Sequence, residues 1–292
     1  MTATTTDLIT RTLDVPGAVL TYDVRRAPEN AEPILFLIGS PMGAAGFGSL
    51  SKHFPDRTIV TYDPRGAERS PKDDPTSEST PDQHADDLHR IIQELGGGPM
   101  DLFASSGGAT NALALVATHP EDVRIVVAHE PPVATVLPDS ESAMAAARAV
   151  RDTYLARGWG AGMAHFIAVV SHEGPFPDDF AARPAPDPAM FGMPPEDDGT
   201  RTDVLFVQNI VSGSHYEFDF DALRAAPTRI VLAAGVESDG ILPGRSAKAV
   251  ANRLGTEAVI FPSGHSGFMG GEYGQTGDPD AFAEKLREVF AG

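Results

Sequence analysis

The chain has 292 residues and no cysteine. That absence excludes disulfides, cysteine-ligated zinc and a thiol nucleophile, and leaves the redox compartment open. Basic residues are scarce: 22 Lys and Arg stand against 41 Asp and Glu, a formal net charge of −19 at pH 7. So acidic a chain is repelled by phosphate backbones and anionic lipids, and neither nucleic acid nor a membrane is expected as its partner. No apolar run reaches the roughly 20 residues that span a bilayer. The opening Met-Thr-Ala-Thr-Thr-Thr-Asp lacks the basic flank and apolar core of a signal peptide. A cytoplasmic location is the resulting expectation.

What is present is an ordinary globular composition, 41% hydrophobic, long enough for one large α/β domain with an insertion or for two small domains. Residues 1–10 read as frayed. Arg11–Val15 and Val19–Arg25 flank Pro16-Gly17 and read as an antiparallel hairpin. Pro33–Ile38, Thr58–Tyr62, Leu102–Ala104, Val123–Ala128, Arg229–Ala234 and Glu257–Phe261 are short apolar runs of the kind buried on both faces of a parallel sheet. Between them lie helical patterns. Thr80-Pro81-Asp82-Gln83 forms a capping box with proline at the first helical position, followed by Ala85, Leu88, Ile91, Ile92 and Leu95 at helical spacing. Asp278-Pro279 opens a last helix, with Phe282, Leu286, Val289 and Phe290 inward. Alternating strands and helices give a mostly parallel sheet covered by helices on both faces, an α/β fold.

The rhythm stops between residues 133 and 225, where Ser140–Tyr154, Gly160–Val170, Thr202–Val211 and Phe218–Ala225 read as helices around a Pro-, Asp- and Met-rich stretch. The expectation is a core of residues 1–132 and 226–292, with residues 133–225 as a helical cap over the sheet's C-terminal edge. Phe166, Met163, Met190, Phe191 and Met193 in this cap are candidates to line an apolar pocket together with Gly39, suited to a small, mainly apolar, neutral substrate.

The stretch Phe103-Ala104-Ser105-Ser106-Gly107-Gly108 turns a buried strand directly into a helix. So sharp a turn forces its tip residue into a strained conformation with the side chain held proud of the sheet. The residues two before and two after the tip must both be small. Centred on Ser106 they are Ala104 and Gly108; centred on Ser105 they would be Phe103 and Gly107, and a phenyl ring does not fit. Ser106 is therefore the candidate nucleophile. A dinucleotide-binding loop is the competing reading, but the segment has no Gly-x-Gly-x-x-Gly.

Chemistry at Ser106 needs a base, an acid and oxyanion donors, each at its own strand end. After Phe261 comes Pro262-Ser263-Gly264-His265-Ser266-Gly267, where an imidazole between glycines can lean over the sheet edge. His53, His84, His89 and His119 lie on helices or their ends and read as structural. After Ala234, Glu237 is the preferred acid to orient His265 and Asp239 the next; Glu130, after the preceding strand, is a third. For the oxyanion, Gly107 N–H is one expected donor, and Ser40, with Met42 as the alternative, supplies the second from Gly39-Ser40-Pro41-Met42-Gly43. No metal-ligand cluster or phosphate loop is visible, so no cofactor is expected.

The chain order oxyanion loop, Ser, acid, His resembles that of the α/β-hydrolase superfamily across essentially the whole length. Tyr62-Asp63-Pro64-Arg65-Gly66 with Arg69-Ser70 is similar to the Asp-x-Arg-Gly…Ser turn of its small bacterial esterases, haloperoxidases and carbon–carbon bond hydrolases. Ile38 departs from the pattern, standing where many members have His before Gly. A Ser rather than an Asp at the tip points away from haloalkane dehalogenase and epoxide hydrolase chemistry. The resemblance implies a serine hydrolase of esters or lactones. The alternatives are a carbon–carbon bond hydrolase or cofactor-free perhydrolase using the same residues, and a ligand-binding protein on an inactive hydrolase scaffold.

Overall fold

A computed structural model describes residues 8–27 and 32–292. The expected fraying of residues 1–7 lies outside that range; residues 8–10 instead begin a strand. The strands are β1 (Leu8–Val15), β2 (Ala18–Arg25), β3 (Leu35–Ile38), β4 (Ile59–Asp63), β5 (Met100–Ser105), β6 (Val123–His129), β7 (Arg229–Gly235) and β8 (Val259–Phe261). They form one eight-stranded sheet in the order β1-β2-β4-β3-β5-β6-β7-β8. β1 and β2 form the antiparallel hairpin, and β2 runs antiparallel to β4; every other pairing is parallel. The apolar runs mark strands sealed on both faces, as in β3, where Leu35, Phe36, Leu37 and Ile38 are all fully buried.

The helices are α1 (Gly48–Lys52), α2 (Pro81–Glu94), α3 (Gly107–Thr118), α4 (Ser140–Arg157), α5 (Trp159–Val170), α6 (Ile210–Ser214), α7 (Phe220–Ala225), α8 (Leu242–Leu254) and α9 (Pro279–Ala291). On one face of the sheet, Leu88 and Ile91 of α2, Leu113 of α3, Leu223 of α7 and Val250 of α8 pack with Phe36, Leu102 and Val126. On the other, Leu50 of α1 and Phe282 and Leu286 of α9 pack with Leu37, Phe103 and Val127. The capping box forms as the sequence requires: Thr80 Oγ accepts from Gln83 N at 3.2 Å and Gln83 Oε1 accepts from Thr80 N at 3.0 Å.

The insertion between β6 and β7 has its own apolar core, which includes Ala143, Val150, Tyr154, Val169 and Phe206. The helix expected over Thr202–Val211 takes a particular form: Val204–Asn209 is a π-helix that continues into α6. The cause is polar. Asp203 caps the Leu205 and Phe206 N–H groups, while the Asn209 side-chain amide donates to the Val204 carbonyl at 2.8 Å. Asn209 Oδ1 also meets His84 Nε2 of α2 at 2.9 Å, and Ser79 N–H donates to the Gln208 carbonyl at 2.8 Å. The π-helix is thus tied to the core below. Among the described residues no helix is long and apolar enough to cross a membrane.

A buried fork holds α2 to the turn after β4: Arg65 Nε and Nη2 donate to the two Asp87 carboxylate oxygens at 2.7 and 2.6 Å. Asp87→Ala strands the guanidinium without its partner and should cost about 3–5 kcal/mol in urea unfolding, with the m-value unchanged. A loss below about 1 kcal/mol, typical of a surface pair, would contradict that reading. Burial draws the His84 pKa down to about 4, partly offset by its Asn209 hydrogen bond. The folded state therefore binds fewer protons at this ring than the unfolded chain, whose histidine titrates near ~6.5. Its contribution is complete above that pH and fades as pH falls towards 4. His84→Gln should flatten the stability decline across this window, read from urea midpoints at successive pH values.

Candidate active site

The register brings the C-terminal ends of five parallel strands into line. Ile38 pairs with Ala104, Ser105 with His129, His129 with Ala233, and Gly235 with Phe261. The loops beyond these ends therefore share one edge, where ligands bind in open α/β sheets. At the centre, Ser106 has φ 59° and ψ −131°, a strained conformation for a side-chain-bearing residue. It is held there by its N–H, which donates to the His129 carbonyl at 2.9 Å. There is no room for a side chain two residues beyond the tip: a Cβ at Gly108 would lie 2.5 Å from the Ile38 carbonyl oxygen. The helix start thus presses against the end of β3, and Ser106 is lifted above α3.

His265 follows β8 in a loop drawn close to β7. A Cβ on Gly235 would lie 2.6 Å from the Ser263 carbonyl, and Glu237 N–H donates to that same oxygen at 3.1 Å. Ser106 and His265 line one cavity of about 1020 Å³. Behind the imidazole, His265 Nδ1 lies 2.6 Å from Glu130 Oε2. Glu130 is fully buried, with φ 52°; its N–H donates to the Ala233 carbonyl at 3.0 Å, and its Oε1 accepts from Gly235 N at 2.7 Å.

Burial acts to raise the Glu130 pKa, but the His265 hydrogen bond and the neighbouring imidazoles outweigh it and bring the carboxyl to about 2. An ionised carboxylate only accepts, so in the neutral imidazole the Nδ1 facing Glu130 carries the proton and Nε2 the free lone pair. Under this pair lies His129, fully buried, with its ring centroid 6.1 Å from that of His265 and Ser105 Oγ 3.2 Å from its Nδ1. Burial keeps His129 neutral by drawing its pKa to about 4.

Of the three expected acids, Glu130 is the one in contact with His265. Glu237 sits exposed on a 3₁₀ turn, Val236–Ser238, and Asp239 is exposed and paired with Lys248 of α8 at 2.5 Å. Neither makes the contact to His265 that Glu130 makes. The chain leaves β7 outward, whereas the kink at Glu130 turns its carboxylate sideways over β7. Ser40, Met42 and Gly107 all line the cavity beside Ser106. The Asp63 carboxylate steadies that loop, accepting from Ala44 N at 2.8 Å and from Arg69 Nε at 2.6 Å. Among the expected pocket residues, Met163 and Phe166 line the cavity. Gly39, Met190, Phe191 and Met193 do not; Met190 is an exposed side chain on a 3₁₀ turn. That part of the insertion runs over its outside. Trp159, Asp203 and Ile241-Leu242-Pro243, not singled out from sequence, also line the cavity.

A serine at a strained tip, an imidazole backed by a buried carboxylate and backbone N–H groups at a helix start can together carry nucleophilic acyl transfer. Comparisons with known proteins agree on the family. Residues 32–272 match the sequence model of the alpha/beta hydrolase fold. An uncharacterised hydrolase of Bacillus subtilis strain 168, YraK, is 31% identical over 263 residues, covering 88% of this chain and 89% of its own. A thermophilic esterase from Thermogutta terrifontis superposes with a TM-score of 0.67 at 19% identity, covering 98% of both chains. Est816, described as an N-acyl homoserine lactone degrading enzyme, gives 0.61 at 17% identity, covering 95% of this chain and 99% of its own. The protein is a hydrolase belonging to the α/β-hydrolase fold family.

Proposed function

We propose that the protein is a serine hydrolase of carboxylic esters or lactones, working through an acyl-enzyme on Ser106. The observation that carries this reading is the 2.6 Å contact between His265 and the buried Glu130, at a cavity that also holds the strained Ser106. His265 Nε2 takes the Ser106 proton as Oγ attacks the carbonyl carbon. Negative charge moves to the carbonyl oxygen, which the N–H groups of Gly107 and of Ser40 (or Met42) receive. First-turn helix N–H groups lack partners within their own helix, so Gly107 is free for this task. Glu130 stabilises the imidazolium, which returns its proton to the departing alkoxide. Water then enters, His265 removes its proton, and collapse of the second tetrahedral intermediate frees the acid and Ser106. Residues 133–225 act as the cap that shapes the substrate pocket over a core of residues 1–132 and 226–292.

Ser106→Ala should lower hydrolysis of a p-nitrophenyl ester by at least about 10⁴-fold while leaving the circular dichroism spectrum and melting point near wild type. Unchanged turnover would overturn the assignment. Glu130→Gln should lower kcat by on the order of 10²–10⁴-fold, because the imidazole loses its orienting charge. Glu237→Gln and Asp239→Asn should stay within about threefold of wild type, as befits exposed acids outside the constellation. A large loss in either, with Glu130→Gln active, would return the role of acid to the loop after β7.

A further inference from the structure

The cavity that holds Ser106 and His265 is lined mainly by apolar groups such as Phe166, Met163, Val169 and Leu242. Its charge composition is one-sided. Among the described lining residues there is no lysine or arginine, but there are two carboxylates, Glu68 and Asp203. Glu68 is exposed and meets the Tyr273 hydroxyl at 3.3 Å. Asp203 is different: it stands in the wall formed by the insertion, partly buried, at the start of the π-helix. Its Oδ1 accepts from the Leu205 and Phe206 N–H groups at 2.9 and 3.2 Å. Among the described residues no Lys, Arg or His pairs with it. The nearby Arg201 is turned away and forks onto Asp197. A carboxylate in an apolar wall without a counter-charge is unfavourable unless something else supplies one.

We infer that Asp203 is a specificity-determining residue that receives a protonated amine, so that the favoured substrate is an ester or lactone carrying an ammonium group on an apolar body. This rests on the acyl-transfer reading only for the reacting bond; the recognition itself is a binding property of the cavity. The volume of about 1020 Å³ leaves ample room for such a group beside the reacting carbonyl. A carboxylate-bearing substrate meets two like charges and no cation, and is excluded on the same ground. Burial pushes the Asp203 carboxyl above its ordinary range, against the Phe206 and Leu205 N–H groups and the Trp159 side chain that lower it; none of these neutral donors carries a charge, and an ammonium at hydrogen-bond distance would reverse that push.

The test measures binding, so it does not depend on turnover. n-Hexylammonium, n-hexanol and n-hexanoate are titrated calorimetrically at pH 8 and low salt into the wild type, Asp203→Asn and Glu68→Gln. Asparagine keeps an oxygen for the Leu205 and Phe206 N–H groups, so the cap and the fold should persist, as the melting point checks. Hexylammonium should bind the wild type at least tenfold more tightly than hexanoate. Asp203→Asn should weaken hexylammonium at least fivefold and leave hexanol unchanged. Equal affinity for ammonium and carboxylate, no binding of any of the three, or a preference that survives in Asp203→Asn would overturn the inference. Loss of the preference in Glu68→Gln alone would also overturn it, moving recognition to the exposed carboxylate. Failure of the wild type to cleave any ester would overturn the acyl-transfer reading while leaving this comparison intact.

Discussion

Everything at the C-terminal edge of the sheet depends on one charge held inside the protein. A carboxylate with no solvent access is expensive unless hydrogen bonds satisfy its oxygens. Glu130 has one on each: the Gly235 N–H on one oxygen and the His265 ring on the other. These partners come from the end of β7 and from the loop after β8, so the carboxylate is satisfied only when β6, β7 and β8 stand in register. The His265 ring is fixed from behind by an acceptor that itself cannot move.

Local strain is concentrated along this edge. Ser106, Glu130 and Ser263 all have positive φ without being glycine. Each lies just past the end of a parallel strand, where the chain must leave the sheet and point a side chain or a carbonyl towards the neighbouring loop. Such conformations persist only where surrounding structure enforces them. Here the enforcement is the close packing of β3 against the start of α3 and of the 263–264 loop against β7, both built on glycines with no room for a Cβ. The insertion adds a different constraint. Its π-helix is tied to α2 by Asn209 and His84, which places Val204, Leu205 and Asp203 in the cavity wall instead of in solvent.

Much of this was legible in the residues. Apolar runs locate the strands, Thr80 and Gln83 locate the start of α2, and the sizes of Ala104 and Gly108 single out Ser106 over Ser105. These features are local: each follows from period, capping or sterics within a few residues. The carboxylate that meets His265 was not local. Glu130, Glu237 and Asp239 all follow strand ends in an acidic chain, and choosing among them requires knowing which loop turns inward. His-Glu-Pro-Pro after Val123–Ala128 held a faint signal, because consecutive prolines forbid further pairing and force an immediate exit from the sheet. The pocket wall was equally hidden. Met190 and Phe191 are apolar yet lie outside it, since the irregular segment 174–199 carries no periodicity from which a face could be assigned, and Asp203, charged, stands inside it.

The central claim is that Glu130 fixes the proton of His265 on Nδ1 and leaves Nε2 free to accept. It is tested most directly by nitrogen-15 NMR of the histidine side chains at neutral pH, with the His265 signals assigned by their loss in His265→Gln. The account predicts a neutral ring protonated at Nδ1 in the wild type, with that proton protected from exchange, and loss of the protection in Glu130→Gln. A neutral His265 protonated at Nε2, or an Nδ1 proton indifferent to Glu130→Gln, would contradict it.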